Sequence, residues 1–183
     1  ADIAHRDDCH TNEKIVFIKT GADGNVNGYK NKYLKMSHRI HERIGATVIC
    51  ASNPYIECGH EAADKLMISQ IVSEMNYLEY EVYFFGTSEG AYHNLVLAKE
   101  IPQTVRLIAI NPSLIDFDEF KDKLHGLPQI SKTIVYGTKD ELADFLYTLK
   151  DLKCDNLKII TINGADHDFN GMLEEYIALI DLI

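Results

Sequence analysis

Two textures of apolar residues alternate along this chain. In the first, apolar residues run together with almost no polar break, as in Ile15-Val16-Phe17-Ile18, Thr47-Val48-Ile49-Cys50 and Leu107-Ile108-Ala109-Ile110. These runs are short and rich in β-branched and aromatic residues, and they predict strands over residues 14–20, 46–51, 80–85, 105–110, 132–136 and 157–162. In the second, apolar positions recur every three or four residues. Tyr33, Met36, Ile40 and Ile44 form one such stripe, and Ala63, Met67, Ile71 and Met75 another. They predict helices over residues 29–44 and 60–78, with further helices over 92–100, over 141–150 and from Asn170 onward. The strand runs show little in/out alternation, which means that both faces of each strand are covered. Six strands separated by helices therefore predict an α/β fold, a mostly parallel sheet with helices on both faces.

Turn-forming residues punctuate this order. Gly45 caps the first helix, Asn53-Pro54 and Asn111-Pro112-Ser113 close two strands, and residues 21–28 form a loop dense in glycine and asparagine. Residues 114–131 read as a short connection with an acidic amphipathic part, Asp116-Phe117-Asp118-Glu119-Phe120. Residues 1–13 are polar and read as a tail or a short edge strand, and residues 14–183, without repeats, low-complexity segments or linkers, as one domain. In open parallel sheets ligands meet the carboxyl ends of the strands. The loops that follow strands here hold residues 21–28, Ser88, Asp140 and His167.

Composition narrows the function classes. A formal net charge of −10 repels phosphate backbones and anionic lipid surfaces, so neither nucleic acid nor membrane is an expected partner. No apolar run is long enough to cross a bilayer, and no basic start followed by an apolar run marks a secretory signal. Cys9, Cys50, Cys58 and Cys154 match no metal-knuckle spacing and are too sparse for a disulfide scaffold. Free thiols suit a cytoplasmic protein, with Cys50 a core thiol. Neither Cys9-His10 nor the pair His38 and His41 makes a metal site, the latter reading as a solvated helix face. No metal or organic cofactor is implied.

The chemistry concentrates at Gly86-Thr87-Ser88-Glu89-Gly90, between an apolar strand and a helix. An ordinary strand-to-helix turn with serine as N-cap would explain the serine alone. The Gly-x-Ser-x-Gly spacing has a further physical reason: at the apex of so sharp a turn the serine backbone is strained, and side chains two residues away would strike the neighbouring strand and helix. The turn lifts the hydroxyl clear of the sheet and leaves the Glu89 N–H near the place where an oxyanion would form.

Three stretches in this order resemble the α/β-hydrolase superfamily, specifically its small members without a large cap: Gly86-Thr87-Ser88-Glu89-Gly90, Val135-Tyr136-Gly137-Thr138-Lys139-Asp140-Glu141 and Gly164-Ala165-Asp166-His167-Asp168-Phe169. The resemblance runs from about Lys14 to the C-terminus. It implies Ser88 as nucleophile, His167 as general base and later general acid, and Asp140 as the acid that orients the imidazole. Asp140 is also placed to cap the helix that follows, and Asp144, Asp166 and Asp168 are competing acids. The resemblance puts one oxyanion donor on the Glu89 N–H and the second on Ala22, with Asp23 as the alternative. Where many relatives carry a His-Gly pair, this chain has Thr20-Gly21. Of the other histidines only His93, on the helix after the serine, invites attention.

The opening antiparallel strands usual in the superfamily are missing or reduced to residues 1–13, and the connection over residues 111–131 is too short for a bulky lid. An open, shallow site follows, suited to small or extended acyl esters rather than long lipids. The implied activity is hydrolysis of a carboxylic ester or thioester through an acyl-serine. Acyl transfer or amide cleavage would use the same three residues, and a binding protein without turnover would use the same fold.

Overall fold

The computed structural model describes residues 13–54, 60–113, 117–141 and 145–183. Cys9, His10, Cys58 and Asp144 lie outside the described residues. Among those residues each apolar run forms a strand: β1 (Glu13–Lys19), β2 (Thr47–Ala51), β3 (Tyr80–Thr87), β4 (Thr104–Ile110), β5 (Ser131–Gly137) and β6 (Leu157–Ile162). They make one sheet of order β2-β1-β3-β4-β5-β6, and every pairing is parallel. The helices are α1 (Lys32–Ile44), α2 (Glu61–Glu74), α3 (Glu89–Glu100), α4 (Phe117–His125), α5 (Phe145–Lys150) and α6 (Leu173–Ala178). None is long and apolar enough to cross a membrane.

The lack of alternation in the strands has the expected cause. Ile15, Val16, Phe17 and Ile18 are all wholly buried, but in two different layers. Ile15 and Phe17 join Phe84, Leu95, Leu107, Leu124 and Leu149 on the side of α2 to α5, while Val16 and Ile18 join Met36, Ile40, Phe85, Ile108, Val135 and Tyr176 on the side of α1 and α6. Each fully buried aliphatic or aromatic side chain contributes about 1.5–3 kcal/mol from removal of apolar surface from water.

The α1 stripe Tyr33, Met36 and Ile40 is buried as the periodicity predicts, and Gly45 ends the helix. Three expectations need correction. The stripe of α2 is rotated: Asp64 and Ile68 are its buried residues, whereas Met75 lies past the helix end and is 52% exposed, so it fills no core. The connection at residues 114–131 contains the helix α4, whose Phe120 and Leu124 pack into the core. The last helix begins at Leu173 rather than Asn170, because Asn170 is taken up as a donor to both carboxylate oxygens of Asp166.

The rotation of α2 follows from a buried charge on β1. Lys19 is 1% exposed, and its Nζ donates to Oδ1 of Asp64 at 2.9 Å and lies 2.8 Å from Oδ2. Burial raises the Asp64 carboxyl above its ordinary range, against the pull of the Lys19 ammonium. Such a pair adds little net stability, but breaking it strands a charge. Lys19→Met should therefore cost about 3–5 kcal/mol in urea denaturation, and the double change Lys19→Met with Asp64→Leu should recover most of that loss.

Candidate active site

The strand order reverses direction at β1: the chain steps from β1 outward to β2, then returns to place β3 on the other side. The crevice at the carboxyl ends of β1 and β3 is the topological switch point where open parallel sheets bind ligands. Ser88 stands there, directly after β3 and directly before α3, with φ 53° and ψ −125°. This is left-handed backbone that a serine adopts only under constraint. Two close approaches supply the constraint. A Cβ built on Gly86 would lie 2.6 Å from the Ala91 Cα, and one on Gly90 only 2.1 Å from the Thr20 carbonyl oxygen. A larger residue would push α3 away from β3 at Gly86 or from the end of β1 at Gly90, and relax the turn.

The other predicted residues converge on that serine. Nε2 of His167 lies 3.0 Å from Oγ of Ser88. Nδ1 of the same ring lies 3.2 Å from each carboxylate oxygen of Asp140. The Asp140 side chain is fully buried, whereas the imidazole is 29% exposed. A dry carboxylate thus faces one edge of a ring whose other edge reaches the serine at the surface.

A cleft of about 400 Å³ opens in front of Ser88 and His167, lined further by Gly21, Ala22, Asn25, Tyr29, Lys32, Tyr33 and Asp168. Its floor is the loop after β1. Asn53, 2% exposed, pins that loop: its carbonyl accepts from Asp23 N–H at 2.8 Å and its own N–H donates to the Gly24 carbonyl at 3.0 Å. Its side-chain amide donates to Oε2 of Glu89 at 3.1 Å, so one buried asparagine ties the loop to the first residue of α3. The Asp23 N–H is thereby occupied, while among the described residues the Ala22 and Glu89 N–H groups make no hydrogen bond within the protein.

No family model and no curated protein matches this chain, but solved structures do. A protein of unknown function from Agrobacterium tumefaciens, classed provisionally with the α/β hydrolases, superposes with a TM-score of 0.70 at 18% identity over 94% of this chain and 85% of that one. An α/β serine hydrolase homologue from Coxiella burnetii gives 0.67 at 19% identity over 93% and 86%. An α/β serine hydrolase without a lid, from Xanthomonas campestris, gives 0.66 at 18% over 94% and 81%. The chain has the α/β-hydrolase fold. At these identities the likeness is one of architecture alone, and the chemistry has to be argued from this chain's own residues.

Within the α/β-hydrolase fold the competing acids separate by geometry. Asp166 turns away from the imidazole and accepts from the Asn170 backbone N–H at 2.8 Å and side-chain amide at 3.1 Å, bonds that hold its carboxyl below the usual range. Asp168 lines the cleft but makes no hydrogen bond to the ring. His93 is engaged elsewhere, with Nδ1 2.9 Å from Oε1 of Glu61 and its ring edge-on to His60.

Two site residues escaped sequence reasoning, Asn53 and Asn111, each read there only as part of a strand-closing turn. Asn111 follows β4, is wholly buried, and has a positive φ of 43°. Its side-chain amide donates to the Asp166 carbonyl at 3.1 Å and the His167 carbonyl at 2.8 Å, while its Oδ1 accepts from Gly137 N–H at 2.9 Å. One side chain thus joins the histidine loop to the strand that leads to Asp140. The sequence signal was an asparagine, not an aspartate, before Pro112: the amide offers donors and an acceptor together, where a carboxylate only accepts. Asn111→Asp keeps the shape but sets a carboxylate against two carbonyl oxygens. It should destabilise the protein by at least about 2 kcal/mol in urea denaturation, as much as or more than Asn111→Ala.

Proposed function

We propose that this protein is a serine hydrolase that cleaves a small carboxylic ester or thioester through an acyl-serine intermediate. The observation that carries this reading is the unbroken chain of contacts from Ser88 Oγ through both nitrogens of His167 to the buried Asp140 carboxylate. A serine hydroxyl is a poor nucleophile until its proton has somewhere to go. Nε2 of His167 takes that proton as Oγ bonds to the substrate's carbonyl carbon. Asp140 holds the ring in the tautomer that leaves Nε2 free and stabilises the imidazolium once it forms.

The carbonyl oxygen becomes an oxyanion in that step, and two uncommitted backbone donors suit it. Glu89 N–H, at the start of α3, is one. Ala22 N–H is the other, favoured over Asp23 because the Asp23 N–H is spent on Asn53. The imidazolium then returns its proton to the leaving alcohol or thiol as the bond from carbonyl carbon to leaving group breaks. Water, deprotonated by the same nitrogen, releases the acid and restores Ser88.

The cleft is bounded by the loop after β1 and the start of α1, and its size suits a short acyl or alcohol group. The similarity to a serine hydrolase without a lid supports the same expectation. An alcohol or amine acceptor in place of water would make the same residues an acyltransferase, and an amide substrate would make them an amidase. The half-buried free thiols Cys50 and Cys154 suit a cytoplasmic setting.

A fluorophosphonate probe should label the protein once, at Ser88, and Ser88→Ala should abolish labelling. Ser88→Ala and His167→Ala should each lower kcat on short p-nitrophenyl esters by at least about 10³-fold, and Asp140→Asn by about 10²–10⁴-fold. Wild-type protein inert to both probe and esters would overturn the reading in favour of a binding protein. Preferential turnover of long-chain lipid esters would overturn the assignment of small substrates.

A further inference from the structure

The cleft is lined by a lysine that the proposed acyl-transfer chemistry leaves idle. Lys32 is the first residue of α1, half-buried, and lines the cleft together with Ser88 and His167. Its Nζ sits 4.0 Å from the centroid of the Tyr176 ring and 5.0 Å from that of Tyr33. Tyr176 is itself 1% exposed, and its hydroxyl shares a hydrogen bond with Thr87, the residue before the serine. The ammonium is therefore held over a fixed aromatic face whose far end abuts the elbow.

Among the described residues no carboxylate forms an ion pair with this cation. Asp168, in the same cleft, acts on it electrostatically but forms no ion pair with it, and among the described residues the Lys32 ammonium makes no hydrogen bond. Attraction to two ring faces fixes the head group without using its three N–H donors. Burial meanwhile withdraws water from the charge and lowers the pKa of the amine.

Helix stability does not explain the lysine. A cation in the first turn opposes the helix dipole, and α1 has no acid there to compensate. The surrounding sequence is equally one-sided. In a protein of net charge −10, residues 24–41 contain no Asp or Glu and carry Lys30, Lys32, Lys35 and Arg39. Of these only Lys32 lines the cleft, where it shares the wall with Asp168; Lys30 and Lys35 lie nearby in the sequence, and Arg39 is paired with Asp181.

We propose that Lys32 forms an anion-recognition subsite of this cleft, and that the preferred substrate is a small ester bearing a carboxylate within a few bonds of the scissile carbonyl. The substrate's carboxylate accepts from the Lys32 ammonium while its ester carbonyl meets Ser88. This assignment of substrate class rests on the hydrolase reading above, but the subsite itself can be tested without turnover.

Two substrate pairs locate the charge: monoethyl succinate against its neutral near-isostere ethyl levulinate on the acyl side, and 3-acetoxypropanoate against 4-acetoxybutan-2-one on the alcohol side. The readout is the ratio of kcat/KM, anion over neutral, within each pair. Lys32→Met keeps the stem on the tyrosine rings and removes the charge, and it should lower the ratio by about tenfold or more in at least one pair. Lys32→Arg should keep most of it. A change below about threefold in both pairs, the size of a screened surface contact, overturns the proposal. If all four esters are inert, the probe and p-nitrophenyl esters decide the hydrolase reading, and succinate titrated into the protein decides the subsite alone. Saturable shifts of the amide resonances of residues 24–33 that vanish in Lys32→Met uphold it, and their absence from wild-type protein overturns it.

Discussion

The molecule is built around one contact, the approach of α3 to the end of β1. Gly90 lies against the Thr20 carbonyl so closely that no Cβ fits between them, and Gly86 meets the first turn of α3 in the same way. These two absences of a side chain allow the chain to reverse within a few residues after β3. The serine at the apex is held in left-handed backbone, its N–H bonded to the Ile110 carbonyl at 2.8 Å. A turn so constrained points its hydroxyl in one direction. It also carries the local strain, which the packing of β1, β3 and β4 beneath it sustains.

Around that turn the remaining groups are placed by buried amides rather than by charges. Asn53 joins the loop after β1 to Glu89, and Asn111 joins the histidine loop to the end of β5. Both sit just past the carboxyl end of a strand, where the regular ladder stops and backbone groups lose their partners. The Asn111 side chain, with donors and an acceptor on one rigid plane, satisfies three backbone groups at once and sets the spacing of the loops that carry Asp140 and His167. Asn53 instead bonds the loop that carries Ala22 through its own backbone and reaches Glu89 through its amide.

Charge is used sparingly inside and unevenly outside. Lys19 and Asp64 form a buried pair that orients α2, a role of register more than of stability. Lys32 is the contrasting case, a cation seated on aromatic rings at the mouth of the cleft in a segment without acids. One ammonium has its counter-ion supplied by the fold. The other is held in place with its donors unspent, which distinguishes a structural charge from one that faces a ligand.

Periodicity and punctuation were enough to place all six strands and their alternation with helices, and the resemblance to the α/β-hydrolase superfamily added the three chemical stretches in the order serine, acid, histidine. Those features are local: strand burial follows from uninterrupted apolar runs, and the elbow from the spacing of two glycines around a serine. The chain's own text preferred Asp140 and Ala22 but left Asp166 and Asp23 as rivals, and it misplaced the buried face of α2, because the deciding partner is known only once the chain is folded. Asp166 is removed by Asn170, Asp23 by Asn53, and the face of α2 by Lys19. The same holds for the clamps: an asparagine after a strand reads as a turn until the fold brings a second loop within reach of its amide. What is written along the chain is which residues are apolar and where the backbone can turn. Which polar groups meet was decided only when packing removed water from between them and left each donor few acceptors in range.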